Sequence, residues 1–409
     1  MKTKSLLLLL LIISCSYTSP KYFISNPASI NLSNQPKICI RYLTINTSIA
    51  NNSLNFSSYN NNFNIDPDWD SIQKIQILNS IPDLGFTLST DAFAAPVEFY
   101  SRLFNVSIYG RSYGSGNLPK DLFDLALFGN DLNRQYNLVG TQVNTINYAG
   151  CAIGSSYPVI KPTEDYDVSN IWSIKQLNVG ARFHYQKGIF VTQTDSSFGF
   201  IFTTPNAFLA QAKLFQSTAS GANCFAFDVG TTVELQQPLS VGFALLNINS
   251  GFNWTKNPKQ MSFEIDLDSF SVQRYRDFNN IDSFITKTDT TITISSFKTS
   301  IPAQLLLQAR YEPMKMLAIS AYYHQYFKES QFIPDFNSRL DFDIYFSPVR
   351  FFSTGISLIT DFKNDFIIGH DFRFIIKGFN FNVCVNQRNG YLGSAKGLDL
   401  GLSFAQDWY

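Results

Sequence analysis

Charge is scarce in this chain. Only 15% of its 409 residues are Asp, Glu, Lys or Arg, and the formal net charge is zero. Soluble domains carry roughly 25%. A neutral chain offers no long-range attraction to nucleic acid or anionic lipid. Histidine is rarer still. His184, His324 and His370 are the only three, and no two of them have zinc-ligand spacing. The cysteines Cys15, Cys39, Cys151, Cys224 and Cys384 are scattered and match no metal or redox spacing. Gly110, Gly114 and Gly116 lack the dinucleotide-binding spacing. After residue 13 no apolar run approaches the roughly 20 residues that a membrane-crossing helix needs. These absences speak against an enzyme, a metal site, a cofactor and a helical membrane anchor.

What is present is an export signal and a repeated strand pattern. Lys2 and Lys4 precede the apolar run Leu6–Ile13, which is too short to span a bilayer and reads as a signal peptide over residues 1–15. Ile12-Ile13-Ser14-Cys15 has the form of a lipobox, so Cys15 is a candidate lipid-attachment residue; cleavage near Ser16 or Ser19 is the alternative. Residues 16–409 carry no Pro/Gly-rich linker and read as one domain.

Within that domain Leu177, Val179, Ala181, Phe183 and Tyr185 alternate with Asn178, Gly180, Arg182, His184 and Gln186. That is the period of a strand with one apolar and one wet face. The pattern returns at Leu239–Leu245, Met261–Leu267, Leu340–Phe346, Phe372–Ile376, Phe379–Val385 and Leu398–Phe404. The opposite phase is small or polar. With 39 Phe and 20 Tyr, the chain predicts an all-β transmembrane antiparallel barrel of about 14–16 strands. A soluble sandwich would also alternate, but with its Phe faces turned inward. Short helical elements interrupt the N-terminal part. One is expected near 67–80, with Asp66 as cap and Pro67 at the first turn. The other is expected near 118–128, closed by Gly129. The second is apolar around much of its surface, so it is expected to plug or line the lumen.

Gly116-Asn117-Leu118-Pro119-Lys120-Asp121-Leu122-Phe123-Asp124-Leu125-Ala126-Leu127-Phe128-Gly129-Asn130 resembles a motif of uncharacterised bacterial outer-membrane barrels. These are related to the fatty-acid transporter FadL and to the PorV-like and TraF-like barrels. Asn26-Pro27-Ala28, the Leu177–Gly188 strand and the Leu239–Trp254 segment match in family order. The resemblance implies an outer-membrane barrel of 14 strands with helical elements near its N-terminal part, and no established activity. One departure is at the C-terminus. Barrel-assembly signals end on an aromatic residue in phase with the last strand, and Tyr409 is out of phase with Phe404.

Three functions follow as expectations. The first is a FadL-like barrel in the bacterial outer membrane that binds or passes a hydrophobic small molecule. Its candidate ligand contacts are Leu122, Phe123, Leu125 and Phe128. The second is a PorV-like structural or secretion-accessory barrel that binds a secreted or periplasmic protein. The third is an exported periplasmic or surface β-sheet lipoprotein. Outer-membrane lipid is the expected surrounding and nucleic acid is not an expected partner. Arg182, His184, Asp341, Asp343 and Arg373 are candidates for a polar network in the lumen. Paired carboxylates also suit acid–base work, but on the wet face of a barrel an ion network is the simpler use.

Overall fold

The computed structural model describes residues 26–32, 35–63, 69–161, 173–236, 238–271, 285–333, 338–361 and 365–408. The signal segment, the candidate lipid site Cys15, the expected helix cap Asp66-Pro67 and the terminal Tyr409 lie outside these residues.

Nineteen strand segments form one sheet. They run β1 Ile38–Asn51, β2 Phe86–Ser101, β3 Phe104–Leu118, β4 Gln135–Asn137, β5 Gln142–Ile160, β6 Ile174–Thr203, β7 Ala207–Leu235, β8 Leu239–Ile248, β9 Gly251–Trp254 and β10 Lys259–Ser271. There follow β11 Ile285–Thr293, β12 Phe297–Ser300, β13 Gln304–Met314, β14 Leu317–Tyr326, β15 Ser338–Val349, β16 Phe352–Thr360, β17 Phe366–Ile376, β18 Phe379–Arg388 and β19 Gly397–Trp408. Each pairs antiparallel with its neighbours, and β19 returns to pair with β1 from Ile38↔Trp408 to Ala50↔Gly397. The sheet is therefore closed and has no edge through its middle. β8, β9 and β10 lie in line along β7, and β13, β12 and β11 lie in line along them. Counted so, with β4 and β5 as one, the wall is a barrel of 14 strands.

Burial fixes which face is which. On β6 Phe183 is 36% exposed while its neighbour Arg182 is 8% exposed. Val179, Val241, Phe243, Phe342, Phe374 and Phe381 are exposed in the same outward phase, and Asn178, His184 and Gln186 are buried. Apolar outside and polar inside is the inverse of a soluble core, and it suits a wall bathed in lipid. The sandwich with inward Phe faces, on which the lipoprotein alternative depended, is overturned by this phase.

One end of the barrel has five short connections, at 101–104, 235–239, 314–317, 349–352 and 376–379, and one long one between β5 and β6. The other end has most of the long ones, and there β6 and β7, joined by three residues, outgrow the wall. β6 and β7 have 30 and 29 residues, where a tilted membrane strand needs about 9–11. β19 keeps its outward phase through Phe404 to Trp408. The register shift lies on β1, between Arg41 and Leu43. Trp408 shares the outward phase of Phe404, and Tyr409, on which the departure rests, lies outside the described residues.

The helices differ in position from expectation. Ser71–Ser80 begins at Asp70, whose carboxylate accepts from the Gln73 amide in a capping box. Lys120–Phe128 does not plug the lumen. It lies at the long-loop end against Ser71–Ser80 and β4, with the Phe123 ring 5.7 Å from Phe86. Asp121 accepts the Asn137 amide and Asp124 pairs with Arg134. These polar ties on one flank explain why an apolar helix can rest on the rim.

Candidate functional site

The lumen is filled in three layers. At the short-turn end sits the N-terminal segment. Asn26 caps a turn of 3-10 helix, Pro27–Asn31, with Pro27 in the first helical position. Every residue from Asn26 to Leu32 is buried. Asn26 Nδ2 donates to the Thr231 and Phe243 carbonyls at 3.1 and 3.2 Å. Asn31 Nδ2 donates to the Ser156 carbonyl at 2.9 Å, and Gln176 Nε2 donates to the Asn31 carbonyl at 2.8 Å. Gln308 Nε2 donates to Ser29 Oγ at 2.9 Å. Five wall strands thus grip one short segment. Gly180, Gly230 and Gly242 form its seat. A Cβ at Gly180 would lie 2.5 Å from the Pro27 and Ala28 backbone, and one at Gly230 would lie 2.2 Å from Asn26 Oδ1. Leu32 packs on Ala244, Leu246, Leu306 and Tyr322, an apolar patch on the inner wall.

Above the plug is a polar belt. His184 Nε2 lies 2.7 Å from Asp228 Oδ2, and Arg182 approaches the same carboxylate at 3.8 Å. Tyr109 Oη is 3.0 Å from His184 Nδ1 and accepts from Gln186 Nε2 at 3.0 Å. With Nε2 protonated towards Asp228, His184 Nδ1 accepts the Tyr109 hydroxyl proton. All five side chains are buried. Asp228 Oδ1 also accepts the Asn247 amide at 2.8 Å.

That last bond marks a break in the wall. Asn247 and Asn249 have positive φ, at 56° and 61°. The β7–β8 register shifts between Phe227 and Val229. Across the next pair the chain leaves the ladder again at 301–303, between β12 and β13. Side chains replace the missing ladder bonds: Asp228 takes the Asn247 amide and Asn249 Nδ2 donates to the Phe225 carbonyl at 3.4 Å. Buried backbone groups need such partners.

Towards the long-loop end the inner face turns apolar and aromatic. Phe93, Tyr109, Tyr113, Ile146, Tyr148, Val191, Phe252, Trp254 and Ile301 form one buried cluster. Tyr148 and Phe252 have ring centroids 5.1 Å apart, and Phe252 and Trp254 stack at 5.9 Å. The Trp254 indole donates to Thr299 Oγ1 at 2.8 Å. Phe332, from the loop after β14, is buried in this cluster, with Ile333 half-buried against it.

The family model described as "Family of unknown function (DUF5723)" matches residues 27–223 and 208–386. The chain belongs to this family. No protein of curated function matches it by sequence. Among solved structures, the P. putida toluene transporter TodX is similar with a TM-score of 0.50 and 11% identity, over 97% of this chain and 96% of that one. A deltaS2 mutant of the TodX monoaromatic hydrocarbon channel gives a TM-score of 0.52 at 11% identity, over the same shares of the two chains. Likeness at this identity establishes a common barrel fold and nothing finer.

In this DUF5723 barrel the residues singled out from sequence fall in three places. Arg182 and His184 meet at Asp228 in the belt. Asp341 and Asp343 are fully buried on β15, facing the lumen. Asp341 accepts from Arg339 Nε and Nη2, each at 2.6 Å, with His324 Nε2 at 3.9 Å, a bidentate geometry suited to holding an ion pair. Arg373 lies apart, near the short turns, bonded to Asn380 and Asp407 at 3.1 and 3.3 Å. There it lines a cleft of about 130 Å3 with Arg310, Glu312, Tyr322 and Asp371. Leu122, Phe123 and Leu125 are half-buried and Phe128 is exposed, all on the rim helix. Asp228, the aromatic cluster and the plug were not singled out beforehand. Asn26-Pro27-Ala28 carried the signal for the plug. The aromatic cluster falls on strand positions where apolar residues were expected to face outward only.

Proposed function

We propose that this chain is an outer-membrane barrel that binds an apolar small molecule the size of one ring in the aromatic cluster and passes it towards the membrane or the periplasm. The observation that carries this reading is the filling of that cluster by Phe332, a loop side chain. A wall needs no aromatic lining to stand, and a loop Phe seated in it stands where an apolar guest would sit. The rim helix supports the same reading: Leu122, Phe123, Leu125 and Phe128 offer apolar surface at the long-loop mouth. TodX, of like fold, is named a toluene transporter. The break at 247–250, beside Ile301 and Phe252 of the cluster, is the natural way out through the wall.

The test uses the purified full-length protein in detergent or vesicles. Toluene and a fluorescent fatty acid are titrated while Trp fluorescence is followed, with Trp254→Phe to assign the signal. Binding should quench Trp254, weaken in Tyr148→Asp, and weaken less when Phe123 and Phe128 become Asp at the rim. No saturable quenching with either probe would remove the reading.

A second reading has its own support. The plugged lumen, together with β6 and β7 standing far above the wall, suits an accessory barrel that binds a secreted or periplasmic protein. Pull-down from intact outer membranes with and without residues 190–219 replaced by a short turn separates the two. Loss of a partner with ligand binding intact favours the accessory reading.

A further inference from the structure

Among the described residues, the part of the sheet that outgrows the wall ends in a strand paired on one side only. Residues 195–203 of β6 and 207–215 of β7 continue about 30 Å along the strand beyond the last β5–β6 pair, Thr145↔Thr192, at ~3.3 Å per residue. β10 pairs with β7 there, and β11 pairs with β10 from Lys259↔Thr293 to Leu267↔Ile285. Among the described residues β11 has no pairing on its other side. Residues 286–293 are exposed on both faces. A long, regular, open edge is a template for another strand, and proteins usually blunt one with a bulge, a proline, a cover or a charge. Among the described residues β11 has no bulge, proline or cover, and its blunting charges are Lys287 and Asp289. Its sequence, Ile-Thr-Lys-Thr-Asp-Thr-Thr-Ile-Thr, is rich in the β-branched residues that favour strands.

The two charges on this edge set what it can accept. Lys287 and Asp289 are two residues apart and so share a face. Two copies of β11 laid antiparallel about a two-fold axis through Thr288 place Lys287 of each opposite Asp289 of the other. Thr286 then faces Thr290, and Thr288 faces Thr288. A centre at Lys287 or at Asp289 would set like charges against each other, and a one-residue slip would put side chains on opposite faces. One register is thus selected by charge. The edge is self-complementary, as an isologous contact requires.

We propose that β11 is a homophilic contact that joins this chain to a second copy by antiparallel strand pairing. The symmetry has a consequence. An axis perpendicular to antiparallel strands turns one barrel to face the other, so the two copies sit in opposed membranes. The extension above the wall supplies the reach for such a contact. The function is therefore adhesion between two membrane surfaces, separate from any passage through the lumen.

The test mixes two vesicle populations carrying the full-length protein and different dyes, and measures tethering by fluorescence cross-correlation. Heat-modifiable gel migration confirms that each variant is folded. Wild-type vesicles should tether. Lys287→Asp vesicles and Asp289→Lys vesicles should each tether about tenfold less among themselves, because the pairing then opposes like charges. Mixed with each other, the two variants should tether as wild type does, since every Asp then meets a Lys. Dispersed wild-type vesicles would overturn the proposal. So would single variants that tether undiminished, or a mixture no better than either variant alone.

Discussion

Replacing Asn26 by Ala should unseat the N-terminal plug. Asn26 donates two hydrogen bonds to wall carbonyls, at 3.1 and 3.2 Å, and accepts the Ala28 amide at 2.9 Å. Each side-chain bond contributes about 1 kcal/mol net, and loss of the cap costs about 1 kcal/mol more. A loss of about 2–3 kcal/mol shifts the seated-to-unseated ratio by about 30- to 150-fold. The seat can be attacked from the wall as well. Gly180→Ala adds a Cβ 2.5 Å from the Pro27 carbonyl and the Ala28 amide. Those are backbone atoms and cannot swing aside, so the plug itself must move. Conductance across planar bilayers reads the outcome. Both variants should show more frequent or larger openings than wild type. The double variant should add little, because both act on one equilibrium. Wild-type conductance in both single variants would refute the idea that this segment closes the lumen. Full additivity would show that the two residues act on separate events.

Asp228→Ala should cost about 3–5 kcal/mol of stability, because it strands buried Arg182 beside His184 and frees the Asn247 amide; urea unfolding in vesicles measures it, and a loss below 1 kcal/mol would show that the belt is not a unit. Phe183→Arg or Phe381→Arg, on the outward face, should cost about 2–4 kcal/mol in the same assay if these positions lie at mid-membrane; an unchanged midpoint would place them outside lipid. Phe332→Ala should lower stability by about 3–5 kcal/mol while tightening toluene binding, since it vacates a buried site; weaker binding would show that Phe332 helps to hold the guest instead of standing in for it.

The barrel was legible because its signal is local and repeated. A period of two over Leu177–Gln186, recurring to Phe404, states that each strand has two chemically distinct faces. The direction of those faces followed from the abundance of Phe in one phase, which only lipid or a core can accept. The strand count was less legible because β8, β9 and β10 are one wall strand interrupted at 249–250 and 255–258. Gaps in the pattern read as turns, whereas here the neighbouring strand runs on past them. The rim helix was placed in the lumen for want of any record in its own residues of where Asp121 and Asp124 would find partners. Those partners, the Asn137 amide and Arg134, follow only after the chain has turned back.

The lumen was the hardest part to foresee, and the reason is physical. A wet face was expected to be polar throughout, since small and polar residues leave room for water. In this barrel the inner face changes character along its length. It is polar where charges must neutralise one another, as at Arg182, His184 and Asp228, and aromatic where Phe252 and Trp254 approach the loop Phe332. Alternation alone cannot report that change, because Phe252 and Trp254 keep the period of their strand while facing in. What could have exposed it is the break itself. Asn247, Asn249 and Gly251 interrupt an apolar run, and residues that adopt positive φ without strain are the ones a chain uses to step out of a ladder. Two such Asn residues beside a buried Asp, which then satisfies the amide they release, mark the interruption as a built feature of the wall. The same step carries the chain from the polar layer to the aromatic one. The wall break therefore joins the polar belt, through Asp228 and the Asn247 amide, to the aromatic cluster, which begins at Phe252.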